Sequence, residues 1–542
     1  MPATGQLVFL DWAIIVLYFA ATFGVAYWSA RGEKVRDNSS DYFLAGRNVG
    51  WFVIGGSLFA SNIGSEHLVG LAGTGAASGV GVGQFEVQAS IILLILGWVF
   101  VPFYLRAGVF TMPEFLERRY SPAARWYLAL VSIIGYVLTK ISVTIYAGGI
   151  VFEALMGVPF WTGAFIVVLI TGVYTVFGGL RVVLYTDLLQ MFVLIGGSLA
   201  VTLIGLREIG GWNVMWNTAG DDFMSLWKPM TDPNFPWTGI LFGAPVVAVW
   251  YWCTDQFIVQ RVLSASNIEQ ARRGAIFAGF LKQLPLFLFV IPGVIAFGLA
   301  QSGRISLTSP DHALPTLVGS LLPVGAKGLV VAGLLAALMS SLSSVFNSCS
   351  TLVTWDIYKK LHPEATEKRL VFVGQVSTAV LVVFGLLWIP FMKLISGQLY
   401  QYLQSVQAYI GPPITAVFLI GLFWKRVNHY GALAALYAGF VLGMGRLVLE
   451  LNKASLGDGW LFWLASVNFL HYCIGLFITC VALLILVSLA TPPPPEEQLR
   501  GLTYQTPAAA TAVEEAPGKG ANLLLSALLV IVVLAVMLYF RG

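Results

Sequence analysis

The chain has 542 residues, of which 58% are hydrophobic and only 10% are charged. Its mean hydropathy of +0.82 lies well outside the range of soluble globular domains. The net charge of +4 is small and requires no nucleic-acid partner. These values exclude a soluble domain and indicate an all-α polytopic membrane protein.

Membrane-spanning segments are the first elements that the sequence predicts. A helix that crosses a bilayer needs about 20 mainly apolar residues. About fourteen such segments occur, and the first lacks the flanking features of a cleaved signal peptide, so we expect it to be retained. Their predicted starts lie near residues 9, 51, 85, 125, 159, 183, 237, 273, 326, 370, 400, 429, 461 and 523.

The loops between these segments alternate in their content of Lys and Arg. Roughly twenty basic residues fall in loops on one side and eight in loops on the other. Because cytoplasmic loops are enriched in Lys and Arg, this split predicts an even number of spans with both termini outside. All four cysteines lie within predicted spans, so no extracellular disulfide framework is available, which favours a bacterial inner membrane.

The second and seventh spans are interrupted by polar residues and glycine at mid-membrane depth. The interruptions cover residues 57–67 and 250–256. Irregular backbone persists in a membrane only where protein or a water-lined cavity satisfies it. Two broken helices five spans apart are what an inverted five-helix repeat produces, with spans 2 to 6 and 7 to 11 as its halves.

This repeat divides the chain into a core and peripheral parts. We expect the last helix to be peripheral to function, because a polar linker separates it from the rest. The predicted parts are a first peripheral helix with an inside loop (1–50), the first repeat (51–206), an outside loop (207–236), the second repeat (237–424), peripheral helices (425–490), an inside linker rich in Pro, Ala and Glu (491–522) and the last helix (523–542).

A run of hydroxyl side chains lies in the ninth span. Within residues 337–344, one alanine and three serines share a helix face at i, i+3, i+4 and i+7 spacing. Two interpretations are open. Small residues allow close helix packing, and several oxygens can replace the water shell of a hard cation. In the second case, carbonyls of the broken helix near Ala60 and Ile63 would complete the shell.

Asp187 begins the sixth span close to the inside surface. A carboxylate at a helix N-terminus can simply complement the helix macrodipole. If the serine-bearing helix passes nearby, Asp187 with Ser343 and Ser344 would instead form a second cation site.

Glu86 and Lys282 stand alone in otherwise apolar spans. Ionisable residues at this depth usually face a cavity, a partner or a substrate, although these two can also neutralise one another as a structural pair. Other polar and aromatic side chains accompany them. Carboxylate, amide, imidazole and ammonium groups suit the hydroxyls of a sugar, and aromatic rings pack on its apolar faces. The set comprises Asn62, His67, Glu86, Tyr251, Trp252, Lys282, Tyr400 and Gln404.

Four stretches resemble the sodium/glucose cotransporter family, within the solute:sodium symporters, and the resemblance extends over essentially the whole chain. A glycine-rich run at 70–79 is more similar to the sugar-transporting members than to the proline, iodide or sialic acid branches. The four stretches are residues 56–65, 250–261, 339–348 and 402–413.

The resemblance implies a LeuT-like core of five plus five helices that couples sodium entry to sugar entry by alternating access. The sodium site common to the family would use carbonyls of Ala60, Ile63 and Ala337 with hydroxyls of Ser340 and Ser341. The second site known in some members would fall on Asp187, Ser340, Ser343 and Ser344.

The resemblance also implies which residues contact and enclose the sugar. Tyr251 would close the inner gate, and Leu71, Phe85 and Tyr400 the outer one. Where relatives carry Thr or Asn before the aromatic pair, this chain has Ala248, which leaves the exact hexose open. The sugar contacts would be Asn62, His67, Glu86, Tyr251, Trp252, Lys282 and Gln404.

The sequence therefore predicts a sodium-coupled symporter for glucose or galactose, with sodium as the co-transported ion. A symporter for inositol or another polyol is an alternative, and so is a sugar sensor of the same fold without net transport. The loops hold no nucleophile paired with a base, no metal-ligand spacing and no phosphate-binding loop, so an enzyme is not predicted.

Overall fold

Helices make up nearly all regular structure of the protein, and β features in the described part are limited to isolated bridges. Twelve of the helices described are long and apolar enough to cross a membrane, and Phe160–Gly172 is a shorter apolar one. One of the twelve, Glu66–Ala107, bends at a 3-10 segment. The predicted count of about fourteen is therefore approximate. The computed structural model describes residues 7–31, 43–392, 399–506 and 518–542.

The first half of the chain contains a peripheral helix, a broken span and a helix of fifty residues that bends sharply at Gly179, where φ is +59°. In chain order the helices are α1 (Phe9–Arg31), α2 (Trp51–Asn62), α3 (Ser65–Ser78), α4 (Gln84–Ile95), α5 (Val101–Ala107), α6 (Met112–Arg119), α7 (Pro122–Tyr136), α8 (Ser142–Met156), α9 (Phe160–Ile209) and α10 (Trp212–Ala219).

The second half repeats the pattern of a broken span followed by continuous helices. Its helices are α11 (Trp237–Phe242), α12 (Ala244–Val249), α13 (Gln256–Leu263), α14 (Ile268–Leu281), α15 (Ile291–Gln301), α16 (Ala313–Leu321), α17 (Ala326–Thr351), α18 (Lys359–Leu361), α19 (Glu367–Met392), α20 (Leu399–Phe423), α21 (His429–Leu451), α22 (Trp460–Ser466), α23 (Phe469–Ala490), α24 (Glu496–Leu499) and α25 (Lys519–Tyr539).

Short π-helical and 3-10 turns connect several of these helices. The π-helical turns allow a helix to change direction while its backbone groups stay bonded, as a membrane interior requires. They are Leu96–Phe100, Val137–Ile141, Trp250–Thr254, Leu286–Val290 and Leu352–Tyr358, and the 3-10 segments are Ala45–Arg47, Gly79–Gly83, Pro310–His312 and Lys453–Ser455.

Helix α17 lies at the centre of the molecule. Of the most apolar stretch of Ala326–Leu361, 94% is buried, compared with 22% for α1 and for α25. Helix α17 packs most extensively against α9, and α2 packs between α9 and α14. Because α17 carries the serine run and α2 ends at the first break, this packing brings the two predicted halves of the sodium site together.

The predicted linker is partly packed against the helical body. Tyr504 N donates to Leu422 O at 2.9 Å, and Gln498 Nε2 donates to Tyr120 O at 3.0 Å. Residues 491–506 therefore include α24 and a turn held by the core. The remainder of the linker up to residue 517 lies outside the described residues.

Candidate functional site

The first break separates α2 from α3 and frees main-chain carbonyls at mid-membrane depth. Ile63 leaves the helical region (φ −81°, ψ 86°), and Gly64 is extended. The Gly64 N–H donates to Asn62 O at 3.1 Å instead of to Ala60 O, its usual helical partner. The local sequence thus leaves a carbonyl of the predicted sodium site available for another ligand.

The second break follows the π-helical turn that carries Tyr251 and Trp252. Asp255 is extended (φ −76°, ψ 126°), and its carboxylate accepts a hydrogen bond from Phe257 N at 3.3 Å and another from the Tyr136 hydroxyl. This cap starts α13. The rings of Tyr251 and Trp252 lie 5.1 Å apart in an edge-to-face arrangement, and the Tyr251 hydroxyl meets Asn62, the last residue of α2.

A cavity lies between the two breaks. All seven predicted sugar contacts line it, and none of them is more than 9% exposed. Two predicted outer-gate residues, Phe85 and Tyr400, also line it, and so does Ala248. Leu71, the third predicted outer-gate residue, is buried but does not line this cavity.

Hydrogen bonds join the polar side chains of the cavity into one network. Lys282 Nζ contacts the Glu86 carboxylate directly and donates to Asn62 Oδ1 at 2.6 Å. Asn62 Nδ2 donates to the Tyr251 hydroxyl at 2.9 Å, and the Tyr400 hydroxyl donates to Glu86 Oε1 at 3.2 Å. Glu86 and Lys282 thus form an ion pair, and both line the cavity.

Aromatic rings enclose this network. His67 meets the Tyr400 ring edge-on at 5.6 Å, and Lys282 Nζ lies 5.5 Å from the centre of the Trp252 ring. His67 Nε2 lies 3.5 Å from Glu86 Oε1. The wall therefore combines flat apolar faces with donors and acceptors, the combination that a compact molecule with many hydroxyls requires.

Sequence reasoning missed two polar residues of the cavity, Lys140 and Gln407. Lys140 Nζ donates to the Tyr251 hydroxyl at 2.7 Å and lies 4.1 Å from the centre of that ring. A lone lysine within a span is the signal that singled out Lys282, and it applied equally to Lys140. Gln407 is one helical turn after Gln404, and this spacing could have indicated it.

The break in α2 and the serine run of α17 meet at the predicted sodium site. Ser341 Oγ donates to Ser61 O at 3.1 Å, so α17 places a hydroxyl on the break. Ser340, which was predicted for both sodium sites, donates instead to Asp187 Oδ1 at 2.7 Å. Of the two predicted hydroxyl ligands, only Ser341 points to the broken backbone.

The four residues of the predicted second site lie close together but do not all face one point. Asp187 Oδ2 accepts hydrogen bonds from the hydroxyls of Ser57 and Ser61 at 2.7 and 2.8 Å. Ser344 Oγ is 3.2 Å from Ser61 Oγ. Ser343 Oγ donates to the main chain of Ser340 at 3.0 Å and is therefore turned away from the carboxylate.

Arg261 was not predicted, although it lies against this second site. Its Nε donates to Ser61 Oγ at 2.8 Å and to Ser57 Oγ at 3.0 Å, and its Nη2 bonds to Ser344 and lies 3.7 Å from Asp187 Oδ2. The side chain is 1% exposed. The guanidinium joins α13 to α2, α9 and α17 and supplies positive charge beside Asp187.

Two broken helices around a polar cavity define a membrane transporter of the inverted-repeat class. The model of the sodium:solute symporter family matches residues 42–439, and the chain belongs to this family. Its members are sodium-coupled solute transporters and not enzymes, as predicted.

Relatives share more than a third of their residues with this chain. Sodium/glucose cotransporter 1 of Oryctolagus cuniculus is 38% identical over 539 residues, covering 91% of this chain and 81% of its own. The sodium/myo-inositol cotransporter of Homo sapiens is 39% identical over 540 residues, covering 91% and 75%. Sodium/glucose cotransporter 4 of Danio rerio is 39% identical over 543 residues, covering 93% and 82%.

Solved structures agree on the fold. A Na⁺-coupled sialic acid symporter in a substrate-bound outward-open state superposes with a TM-score of 0.75 at 22% identity, covering 90% of this chain and 99% of its own. A nucleobase-cation-symport-1 family transporter in a closed conformation gives 0.56 at 16% identity, covering 86% and 99%. These neighbours have the LeuT-like fold, so the predicted fold class is confirmed.

Proposed function

We propose that this protein carries glucose or galactose across the membrane together with sodium by alternating access. The observation that carries the proposal is the cavity between the two breaks, where carboxylate, ammonium, amide and imidazole groups converge beside aromatic rings. Such a site rejects molecules without matching hydroxyls, because its own buried polar groups would be left unpaired. The sodium/glucose cotransporters among its relatives support this choice of substrate.

In this proposal sodium binds where α17 crosses the first break. Carbonyls of Ala60, Ile63 and Ala337 and the hydroxyl of Ser341 surround the ion, and Ser340 joins them by turning from Asp187. A second ion would take Asp187 with Ser340, Ser343 and Ser344, which requires Arg261 and Ser343 to reorient.

The seven cavity residues hold the sugar, and aromatic side chains close it in. Tyr251 forms the inner gate, held by Lys140 and Asn62. Phe85, Tyr400 and the buried Leu71 form the outer gate. The repeats at 51–206 and 237–424 move relative to one another around this site, and the segments at 425–490 and 523–542 stay peripheral.

Sodium entry provides the free energy for accumulation. Each ion moving down the membrane potential contributes about 2.3 kcal/mol per 100 mV, in addition to its concentration gradient. We place the protein in a bacterial inner membrane with both termini outside, on the basis of the Lys and Arg distribution and the cysteine positions.

The second candidate substrate is inositol or a related polyol. The human sodium/myo-inositol cotransporter is as similar to this chain as the glucose cotransporters are. Inositol presents a ring of hydroxyls to the same groups. Ala248 favours no particular sugar hydroxyl, because its methyl group offers no hydrogen bond to the cavity.

Uptake by the purified protein in liposomes tests the proposal. Labelled glucose and galactose are measured with an inward sodium gradient and with an equal potassium gradient, and unlabelled myo-inositol is added as a competitor. We expect the liposomes to accumulate the labelled sugar above its outside concentration under the sodium gradient and not under the potassium gradient. Complete competition at low myo-inositol concentrations with weak uptake of both hexoses would move the substrate to the polyol.

Binding without uptake would indicate a sugar sensor of this fold, and equilibration without sodium dependence would indicate a facilitator.

A Lys282→Gln protein tests the role of the cavity in the same uptake assay. It keeps a donor for Asn62 but leaves Glu86 without its cation, so we expect uptake to fall at least about tenfold.

A further inference from the structure

Three charged side chains line the cavity, one acidic and two basic: Glu86, Lys140 and Lys282. Glu86 and Lys282 form a direct ion pair. Lys140 has no carboxylate within 4 Å in the described part of the chain, although it is only 2% exposed. A buried ammonium group needs compensating negative charge. The residue that supplies this charge to Lys140 has no role in the transport scheme above.

Glu66 and Asp255 are the two carboxylates near Lys140, and the Asp255 carboxylate is already engaged by the Tyr136 hydroxyl and Phe257 N. Glu66 lies in the first turn of α3 and is 1% exposed. Its Oε2 accepts a hydrogen bond from Thr144 Oγ1 at 3.4 Å, and Thr144 is one helical turn after Lys140. The carboxylate therefore packs against the helix segment that carries the lysine.

The break in the backbone makes the room for this carboxylate. A Cβ atom at Gly64 would collide with the Glu66 side chain, which folds back over the break. Glu66 Oε1 has no hydrogen-bond partner in the described residues, and His67 Nδ1, also without one, lies 3.9 Å away. An acceptor with unused capacity thus lies against Gly64, the residue that follows Ile63 at the break.

Glu66 does not line the cavity, so it cannot contact the sugar directly. Its carboxylate lies against Gly64, the residue that follows the proposed sodium ligand Ile63. It also accepts a hydrogen bond from Thr144, on the helix segment of Lys140, whose Nζ donates to the proposed inner-gate hydroxyl of Tyr251. A single negative charge there attracts sodium and fixes the lysine at the same time.

We propose that Glu66 is a positioning residue that sets the sodium affinity of this transporter and holds Lys140 on Tyr251. With Glu66, the ammonium groups of Lys140 and Lys282 are matched by Glu66 and Glu86, which suits a neutral solute. Without it, the nearest remaining carboxylate to Lys140 is Asp255, which the Tyr136 hydroxyl and Phe257 N already engage, so positive charge is left in excess next to the proposed sodium site. The inference rests on the proposed sodium-driven transport and adds a residue to it.

The test compares Glu66→Gln with the wild-type protein in liposomes. We expect the sodium concentration for half-maximal uptake to rise about fivefold or more, with the sugar KM at saturating sodium changed by less than about twofold. Glu66→Asp keeps the charge and should lie closer to wild type. Glu153→Gln, the same change at an exposed position of α8, is the matched control and should leave the sodium requirement unchanged.

A double variant separates charge balance from a general loss of structure. Adding Lys140→Gln to Glu66→Gln removes the excess positive charge and should recover part of the sodium affinity, whereas two independent structural defects would worsen it. If Glu66→Gln alone does not fold, the double variant should fold. Failure of both, or an unchanged sodium requirement in Glu66→Gln, would overturn the proposal.

Sodium binding can also be measured without transport. The thermal unfolding temperature of the purified protein is measured in sodium chloride against choline chloride, because a ligand that binds the folded state raises this temperature by an amount that grows with the ratio of its concentration to its Kd. The Glu66→Gln protein should need about fivefold more sodium for the same rise. If the wild-type protein is stabilised by sodium but takes up no sugar, the proposed function fails, while the role of Glu66 is still decided by this comparison.

Discussion

At the scale of single residues, buried polar groups show how this protein uses its few charges. Glu86 meets Lys282, and Asp187 accepts hydrogen bonds from three hydroxyls while Arg261 lies close by. Each arrangement joins helices that are far apart in the chain. Because an unpaired charge is costly at bilayer depth, these contacts fix which helix faces meet.

Ser341 is the hydroxyl that α17 places on the first break, where it bonds to Ser61 O. In Ser341→Ala we expect the sodium needed for half-maximal uptake to rise about threefold to tenfold, since one oxygen ligand is worth about 1 kcal/mol. Uptake at saturating sodium should change much less. The measurement is uptake against sodium concentration.

Ser350→Ala is the control for this change, because it removes a hydroxyl from the same helix that has no hydrogen-bond partner in the described residues. It should keep the wild-type sodium dependence. A Ser341→Ala protein with unchanged sodium dependence would remove Ser341 from the sodium site.

Asp311 lies outside the membrane spans, in the 3-10 segment before α16, and its carboxylate contacts the first residue of α20. Burial raises the pKa of its carboxyl from 3.8 to about 7, although Oδ2 accepts a hydrogen bond from Leu399 N at 3.3 Å. The folded state therefore holds this proton more tightly than the unfolded state. Its contribution to stability is complete below about pH 4 and is lost as the pH rises through about 7.

Thermal unfolding of the wild-type and Asp311→Asn proteins at about pH 5 and about pH 8 tests this linkage. We expect the asparagine protein to gain about 2 kcal/mol relative to wild type at the higher pH, because it carries no charge to bury. A stability difference that does not depend on pH would show that the carboxyl does not titrate in this range.

At the scale of elements, the close approach of α2 and α14 positions the site. A Cβ atom at Gly55 would lie 2.7 Å from Gly274 O, and one at Gly274 would lie 2.8 Å from the Ile54 side chain. Small residues allow helix backbones to meet in this way. Since α2 ends at the proposed sodium site and α14 ends at Lys282, which lines the cavity, the separation of these helices affects both proposed ligand sites.

Gly274→Val should force these helices apart and cost about 1–3 kcal/mol. We expect a lower unfolding temperature and a loss of uptake, measured on the purified and reconstituted protein. Gly475→Val is the control, because nothing lies within 4 Å of a Cβ atom there. Equal behaviour of the two variants would show that the crossing tolerates a larger spacing.

At the scale of the whole molecule, the core and the periphery differ in burial and in contacts. Helix α25 lies on the outside of α4 and α14, where Trp98 Nε1 donates to Ser526 Oγ at 3.0 Å and Arg273 Nε donates to Asn522 Oδ1 at 3.2 Å. None of its residues lines the cavity. It therefore supports two helices of the site from the lipid side.

Removal of residues 507–542 should lower the unfolding temperature by a few degrees and leave sodium-driven uptake in place, because only peripheral packing is lost. Uptake and unfolding are measured on the same truncated preparation. Loss of uptake by a truncated protein that is still folded would give the last helix a part in transport.

The sequence by itself determined the spans, the two broken helices and most side-chain types of the cavity, because hydropathy and lone polar residues are local properties. Tertiary structure decided which polar groups meet. Lys140, Arg261 and Glu66 act through contacts with distant segments, such as Arg261 with Ser57. Ser340 and Ser343 also take their directions from neighbours that a helical period cannot reveal. Pairing across a bundle depends on how helices cross, and spacing along one chain does not specify it.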